Sequence, residues 1–117
     1  MNIHITIPGE PKGKERPRYS SKSKTVYTPA KTENYEKLIA DTYKAEYGNL
    51  KFSAGEPLEM RILAYIGIPA SDTASARLKK LRKETRPTKK PDWDNIGKIV
   101  ADALNGVAYH DDAQVVD

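Results

Sequence analysis

The chain has 117 residues, which fits one compact domain with a single, modest hydrophobic core. Its formal net charge is +4 and its sequence pI is about 9.2, a balance that favours polyanionic partners, although a merely basic surface is the alternative. There is no cysteine, which excludes thiol catalysis, thiolate metal sites and disulfides. Because no stretch approaches the ~20 apolar residues of a membrane helix and no secretory signal is present, we expect a soluble, cytoplasmic protein.

The N-terminal third predicts a strand and a basic loop. Ile3, Ile5 and Ile7 alternate with polar residues, as in a half-buried strand, and Pro8-Gly9 ends the run. Residues 10–29 are rich in Lys, Arg, Ser and Pro, which indicates a basic loop or a pair of short extended pieces.

A first amphipathic helix is predicted next, with Thr32 as its N-cap and Gly48-Asn49 as its stop. Its apolar face has spacings of three and four, at Tyr35, Leu38, Ile39, Thr42 and Tyr43.

The middle of the chain predicts a second strand and a basic arm. Alternating apolar residues run from Leu58 to Ile66, with Leu63 and Tyr65 suggesting that the other face is partly covered. Residues 71–90 are basic and predict an exposed, mobile arm, with a short helix that begins at Asp72 and ends at Pro87.

The clearest helix follows this arm and ends at Asn105-Gly106. Its apolar face consists of Ile96, Ile99, Val100, Ala103 and Leu104. A further strand would begin at Val115-Val116, so we expect that a final strand after Asp117 is missing. The predicted fold class is α+β: one small domain over residues 1–117, with a mixed β-sheet packed against two main helices.

Four carboxylates flank this last helix: Asp92 and Asp94 precede it, and Asp111 and Asp112 follow it. Asp92 and Asp94 could simply cap the helix and favour its dipole, which contributes about 1 kcal/mol. A group of carboxylates ~4–5 Å apart, however, repels by several kcal/mol, so a cation between them is expected. Oxygen ligands without Cys or His favour Mg²⁺, with Mn²⁺ as a substitute.

Three neighbouring residues have alternative interpretations. Lys98 lies four residues after Asp94 and could form an ordinary salt bridge with it or stabilise charge at a scissile phosphate. His110 could be a base or a solvated loop residue, and Trp93 could stack on a nucleobase or pack the start of the helix.

Pro91-Asp92-Trp93-Asp94-Asn95 with Lys98, Asp102-Ala103-Leu104 and the run from Asp111 to Val115 resemble the RusA family of Holliday junction resolvases. The segments Lys12 to Arg18 and Tyr27-Thr28-Pro29 look like the leader of phage-type and prophage-type members. Trp93 departs from the family, which usually has a smaller aliphatic residue there.

The resemblance implies a dimeric, Mg²⁺-dependent endodeoxyribonuclease that nicks four-way DNA junctions symmetrically. It implies metal-binding and catalytic roles for Asp92, Asp94 and Asp112, a metal role for Asp111 beside them, and a catalytic role for Lys98. Candidate contacts to the DNA backbone are the basic residues Lys12, Lys14, Arg16, Arg18, Lys89 and Lys90. The alternatives are a metal-dependent nuclease for other branched or duplex DNA, and a non-catalytic DNA-binding module.

Overall fold

The computed structural model describes residues 1–68, 71–84 and 91–117. In chain order the elements are β1 (Arg18–Ser20), β2 (Thr25–Tyr27), α1 (Ala30–Tyr47), α2 (Ala74–Leu81), α3 (Trp93–Leu104) and a 3₁₀ turn (Asp112–Gln114). The predicted α+β class is confirmed. Within these ranges, no helix has the length and apolar character needed to cross a membrane.

The core lies where α1 meets α3. Ile39 and Tyr43 of α1 and Leu104 of α3 are buried together, and Ala108 and Tyr109 extend the cluster beyond α3. Both predicted helices are therefore confirmed, but Leu38, expected on the apolar face of α1, is 36% exposed. The packing fixes α3, and with it the acidic residues at either end, against the longest helix of the chain.

The predicted N-cap of α1 is wrong, whereas the predicted C-terminal end of the helix is right. The helix begins after Pro29, and Thr32 lies one turn inside it, buried. The Thr32 hydroxyl accepts a hydrogen bond from the backbone N–H of Glu15 (3.3 Å), so it binds the basic loop and not the helix end. At the other end Gly48 has φ 61°, the left-handed conformation that glycine tolerates.

The first predicted strand keeps its alternation, but residues 3–7 pair with no strand among the described residues. Ile3, Ile5 and Ile7 are partly buried against the core, while the residues between them are exposed. The hydroxyl of Tyr47 accepts from the backbone N–H of His4 and donates to its carbonyl, both at 3.0 Å. A side chain of α1 thus satisfies backbone groups that a neighbouring strand would otherwise bind.

Among the described residues, the second predicted strand pairs at its start alone. Leu58 forms a parallel bridge with Val115, and the N–H of Met60 donates to the carbonyl of Asp117 (2.8 Å). The prediction that the second face of this strand is partly covered is wrong, because Leu63 is 82% exposed and Tyr65 is 81% exposed. Without a neighbouring strand in the described chain, these two side chains face solvent.

The two basic segments differ in form. Residues 18–27 form an antiparallel hairpin in which Tyr19 pairs with Val26, as the alternative of two short extended pieces predicted. The arm contains the expected short helix, but its N-cap is Thr73 and it ends at Leu81. Asp72 instead pairs with Lys80. The proposed stop at Pro87 lies outside the described residues.

Candidate active site

The first acidic pair lies at the start of α3. Asp92 is the N-cap, and its Oδ1 accepts from the backbone N–H of Asn95 (3.4 Å) and from the Asn95 side-chain amide (2.7 Å). Asp94 is in the first turn, where a negative charge is favoured by the helix dipole. Both carboxylates are exposed, so capping leaves further oxygen lone pairs available to a cation.

Lys98 and Trp93 also face solvent on this part of α3. No salt bridge joins Lys98 to Asp94 within the described ranges, so the ordinary i,i+4 pair is not formed. Trp93 is 85% exposed and does not pack the helix start. An exposed cation and an exposed indole therefore lie beside the first pair of carboxylates.

The second acidic pair lies in the 3₁₀ turn. Asp111 is the N-cap of this turn, and its side chain accepts from the backbone N–H of Ala113 (3.0 Å). The side chain of Gln114 completes a capping box by accepting from the N–H groups of Asp111 (3.1 Å) and His110 (3.0 Å). His110 itself is exposed, and its role as a base stays a prediction.

The side chain of Gln114 anchors the second acidic turn, a role that the sequence interpretation missed. It is 7% exposed, and its amide nitrogen donates to the carbonyls of Ser53 (2.8 Å) and Glu56 (3.1 Å). The acidic turn is thereby fastened to a distant loop. The available signal was the D-x-x-Q spacing from Asp111 to Gln114, which is a capping-box pattern.

Electrostatic repulsion is concentrated at the second pair. The hydrogen bond with Asp111, and then the negative charges of Asp111 and Asp102, raise the pKa of the Asp112 carboxyl. The backbone N–H of Ala113 and the side chain of Asp112 lower the pKa of Asp111. Burial, followed by the charges of Asp112 and Asp102, raises the pKa of the Tyr109 hydroxyl. These shifts put Asp102 within electrostatic range of the acidic turn.

The structure brings Asp111 and Asp112 together, with Asp102 nearby, but does not assemble the expected cluster of four carboxylates. Asp92 and Asp94 remain at the beginning of α3, whereas Asp102 is near its end, a separation of about 12 Å from Asp94 at ~1.5 Å per residue. Nowhere in residues 1–68, 71–84 and 91–117 do three or more His, Asp or Glu side chains form a group able to hold a metal. The shared metal site remains a prediction.

Comparison with known proteins gives the family. The family model for Endodeoxyribonuclease RusA matches residues 8–117, which include both acidic pairs, Lys98 and the basic loop. The chain belongs to the RusA family. It is also 38% identical over 122 residues to the uncharacterized protein YqaN of Bacillus subtilis (strain 168), covering 98% of this chain and 82% of that relative. No solved structure matches.

Membership of the RusA family makes the chain a nuclease that hydrolyses phosphodiester bonds and indicates endonuclease activity on Holliday junctions. The matched region includes the acidic residues at both ends of α3. They lie beside a conspicuously basic segment, residues 12–18.

The basic side chains of this RusA-family chain are not equivalent. Lys12, Arg16 and Arg18 are all exposed to solvent. Arg18 also forms a 3.3 Å salt bridge with Glu15. Lys14 is different: its ammonium binds carboxylates of α1 and α3, so its prediction as a free contact to DNA needs correction. Lys89 and Lys90 lie outside the described residues.

Proposed function

We propose that this protein is a Mg²⁺-dependent endodeoxyribonuclease that resolves Holliday junctions by paired symmetric nicks during DNA recombination and repair. The observation that carries the proposal is the RusA match over residues 8–117, since it contains both acidic pairs and Lys98. In this proposal Asp92, Asp94, Asp111 and Asp112 hold the metal, and Mn²⁺ can replace Mg²⁺.

The donor set fits a hard divalent cation. All four carboxylates are exposed, the chain has no cysteine, and oxygen-only ligands are the ones that Mg²⁺ prefers. The raised pKa of Asp112, caused by its neighbours Asp111 and Asp102, marks a place where added positive charge would be stabilising. A shared site would require the two acidic pairs to approach each other, and metal binding would supply the energy for that approach.

The side chains divide the catalytic work between them. Bound Mg²⁺ would activate a water and offset charge on the phosphate. Asp92 and Asp94, held at the start of α3, would be ligands of that cation, which would supply the activated water for in-line attack on phosphorus. Lys98, exposed one turn later, would stabilise the negative charge that develops on the phosphate oxygens. The expected products are nicks with 5′-phosphate and 3′-hydroxyl ends.

A two-fold dimer would match the symmetry of the substrate, because two opposed strands of a junction require two equivalent sites. The exposed side chains of Leu63 and Tyr65 support an interface in the segment 61–66, where a second copy would remove apolar surface from water. Sedimentation of the wild-type protein and of Leu63→Lys would test this interface. The wild type should be dimeric, and the variant should dissociate into monomers at a higher protein concentration than the wild type.

The decisive experiment compares cleavage of a synthetic four-way junction, a flap and a linear duplex, each with and without Mg²⁺. We expect Mg²⁺-dependent paired nicking of the junction, and a loss of ~10²–10³-fold in the Asp94→Asn variant. Asp41→Asn, which changes an exposed carboxylate on α1, is the matched control and should cleave like the wild type.

Each alternative has its own outcome in this assay. If the flap or the duplex is cleaved in preference to the junction, that DNA is the substrate and the junction is not. If Asp94→Asn cleaves at the wild-type rate, the proposed site is wrong. A non-catalytic DNA-binding module would cleave nothing. Such a module would also gain no stability from Mg²⁺, whereas a true site gains about 2.7 kcal/mol at a hundredfold excess over its Kd.

A further inference from the structure

The segment Gly13-Lys14 is seated directly on the first turn of α3. The backbone N–H of Lys14 donates to the carbonyl of Asn95 (2.9 Å). A Cβ placed on Gly13 would lie 2.9 Å from the Asn95 Cβ and 3.0 Å from the Pro91 Cβ. Real side chains do not pack that closely, so glycine is what permits this approach to the residues that flank Asp92 and Asp94.

The side chain of Lys14 joins three parts of the molecule. Its ammonium pairs with Glu36 of α1 and lies 3.3 Å from Asp102 of α3. The Lys14 side chain is only 19% exposed, against 65% for Arg18 a few residues along the same segment. Partial burial lowers the pKa of Lys14, but its hydrogen bonds to Glu36 and Asp102 outweigh that effect and raise the pKa overall. Lys14 is therefore cationic at neutral pH and is already occupied by protein carboxylates.

The partner Asp102 links this contact to the second acidic pair. Asp102 follows Ala101, whose carbonyl accepts a hydrogen bond from the hydroxyl of Tyr109 (2.5 Å), two residues before Asp111. The ammonium of Lys14, 3.3 Å from Asp102, partly offsets the charge of that carboxylate. Lys14 thus contacts the first turn of α3 through its backbone, and the end of α3 that Tyr109 joins to the acidic turn through its side chain.

We infer that Lys14 is a positioning residue of the nuclease site: it fastens the basic segment to α1 and α3, holds the first turn of α3 in place and offsets the charge of Asp102. The inference rests on the proposed function for the identity of the site that is positioned. It separates Lys14 from Lys12 and Arg16, whose exposed side chains are available to DNA phosphates.

The experiment compares Lys14→Met with Lys12→Met, a matched loss of one positive charge from an exposed position in the same segment. Junction affinity is measured without divalent metal at several salt concentrations, and cleavage is measured in single turnovers at saturating protein over a Mg²⁺ titration. For Lys14→Met we expect metal-free affinity within twofold of wild type, an unchanged salt dependence and a saturated cleavage rate at least tenfold lower. For Lys12→Met we expect weaker binding, a salt slope smaller by about one and a normal rate at saturation.

Two further variants protect the test against simple misfolding. Lys14→Arg keeps the charge and should recover most of the cleavage rate. Gly13→Ala keeps Lys14 but displaces the segment from Asn95, and should reduce cleavage while leaving metal-free binding intact. If Lys14→Met behaves like Lys12→Met, with weaker salt-sensitive binding and a normal saturated rate, then Lys14 is a phosphate contact and the inference is wrong.

Amide hydrogen exchange separates this inference from the proposed function. Lys14→Met should speed exchange in the first turn of α3, and Lys12→Met should not. Absence of cleavage by the wild type would refute the proposed function, while the exchange result would still decide whether Lys14 fixes that turn. Unchanged exchange in Lys14→Met would overturn the positioning role even in an active enzyme.

Discussion

The two acidic turns beside α3 are held in different ways. The first is local: Asp92 caps its own helix through Asn95, three residues away. The second depends on tertiary structure, since Gln114 joins the turn to carbonyls 58 and 61 residues earlier in the chain. The first pair is therefore ordered mainly by its own helix, to which the N–H of Lys14 adds one tertiary contact at the Asn95 carbonyl, whereas the second pair depends on the completed fold. Variants in each turn should separate these two sources of order.

Gln114→Ala should have the largest effect on stability. The substitution removes two bonds from backbone N–H groups and two to backbone carbonyls at a buried position, so we expect a loss of about 2–3 kcal/mol in the free energy of unfolding. Denaturant unfolding measures it. Asn34→Ala, an exposed amide on α1, is the control and should change stability by less than ~0.5 kcal/mol. A loss as small as the control's would mean that the turn does not depend on this anchor.

Asp92→Ala should have a smaller effect, confined to α3. Removal of the N-cap leaves one backbone N–H of the first turn without its partner and costs about 1 kcal/mol. Hydrogen exchange should be faster at the start of α3 and unchanged at the 3₁₀ turn, whereas Gln114→Ala should give the opposite pattern. Matching patterns in the two variants would show that the two turns are coupled and are not ordered separately.

Asp102→Asn should give the smallest effect, a lower pKa at Asp112. Removing a nearby negative charge makes ionisation of Asp112 easier, and carboxyl NMR titrations with Asp41→Asn as control measure the change. The sign also sets a pH dependence. Because the folded-state pKa of Asp112 is raised, its contribution favours the folded state at acid pH and is lost as the pH rises through that pKa. An unaltered titration would exclude Asp102 as a neighbour of the acidic turn.

The sequence predicted most reliably what is encoded locally. Periodicity located α1 and α3, and the glycine signal located the end of α1. Alternation predicted which side of residues 3–7 is buried. It did not predict that the hydroxyl of Tyr47 binds the backbone of His4, because the two residues are 43 positions apart in the sequence. The residue type of Thr32 predicted a helix cap. Its actual contact with Glu15 comes from outside the helix, so the helical pattern could not reveal it.

The candidate site shows the same division. The residue types came from the sequence, and so did the capping role of Asp92. The pairing of Lys14 with Glu36 and Asp102 could not be predicted, because it joins residues that only tertiary packing brings together. A lysine in a basic run was therefore assigned to DNA with its neighbours, although its ammonium is held by protein.

The long-range anchoring of the second acidic turn also has a consequence for folding order. Gln114 can bind Ser53 and Glu56 only after a loop of some sixty residues has closed, and contacts across such separations form late because chain entropy opposes them. A partly folded chain can form the helices before this turn. Under the proposed function, in which Asp111 and Asp112 bind the metal, the metal site would be completed only after these long-range contacts have formed.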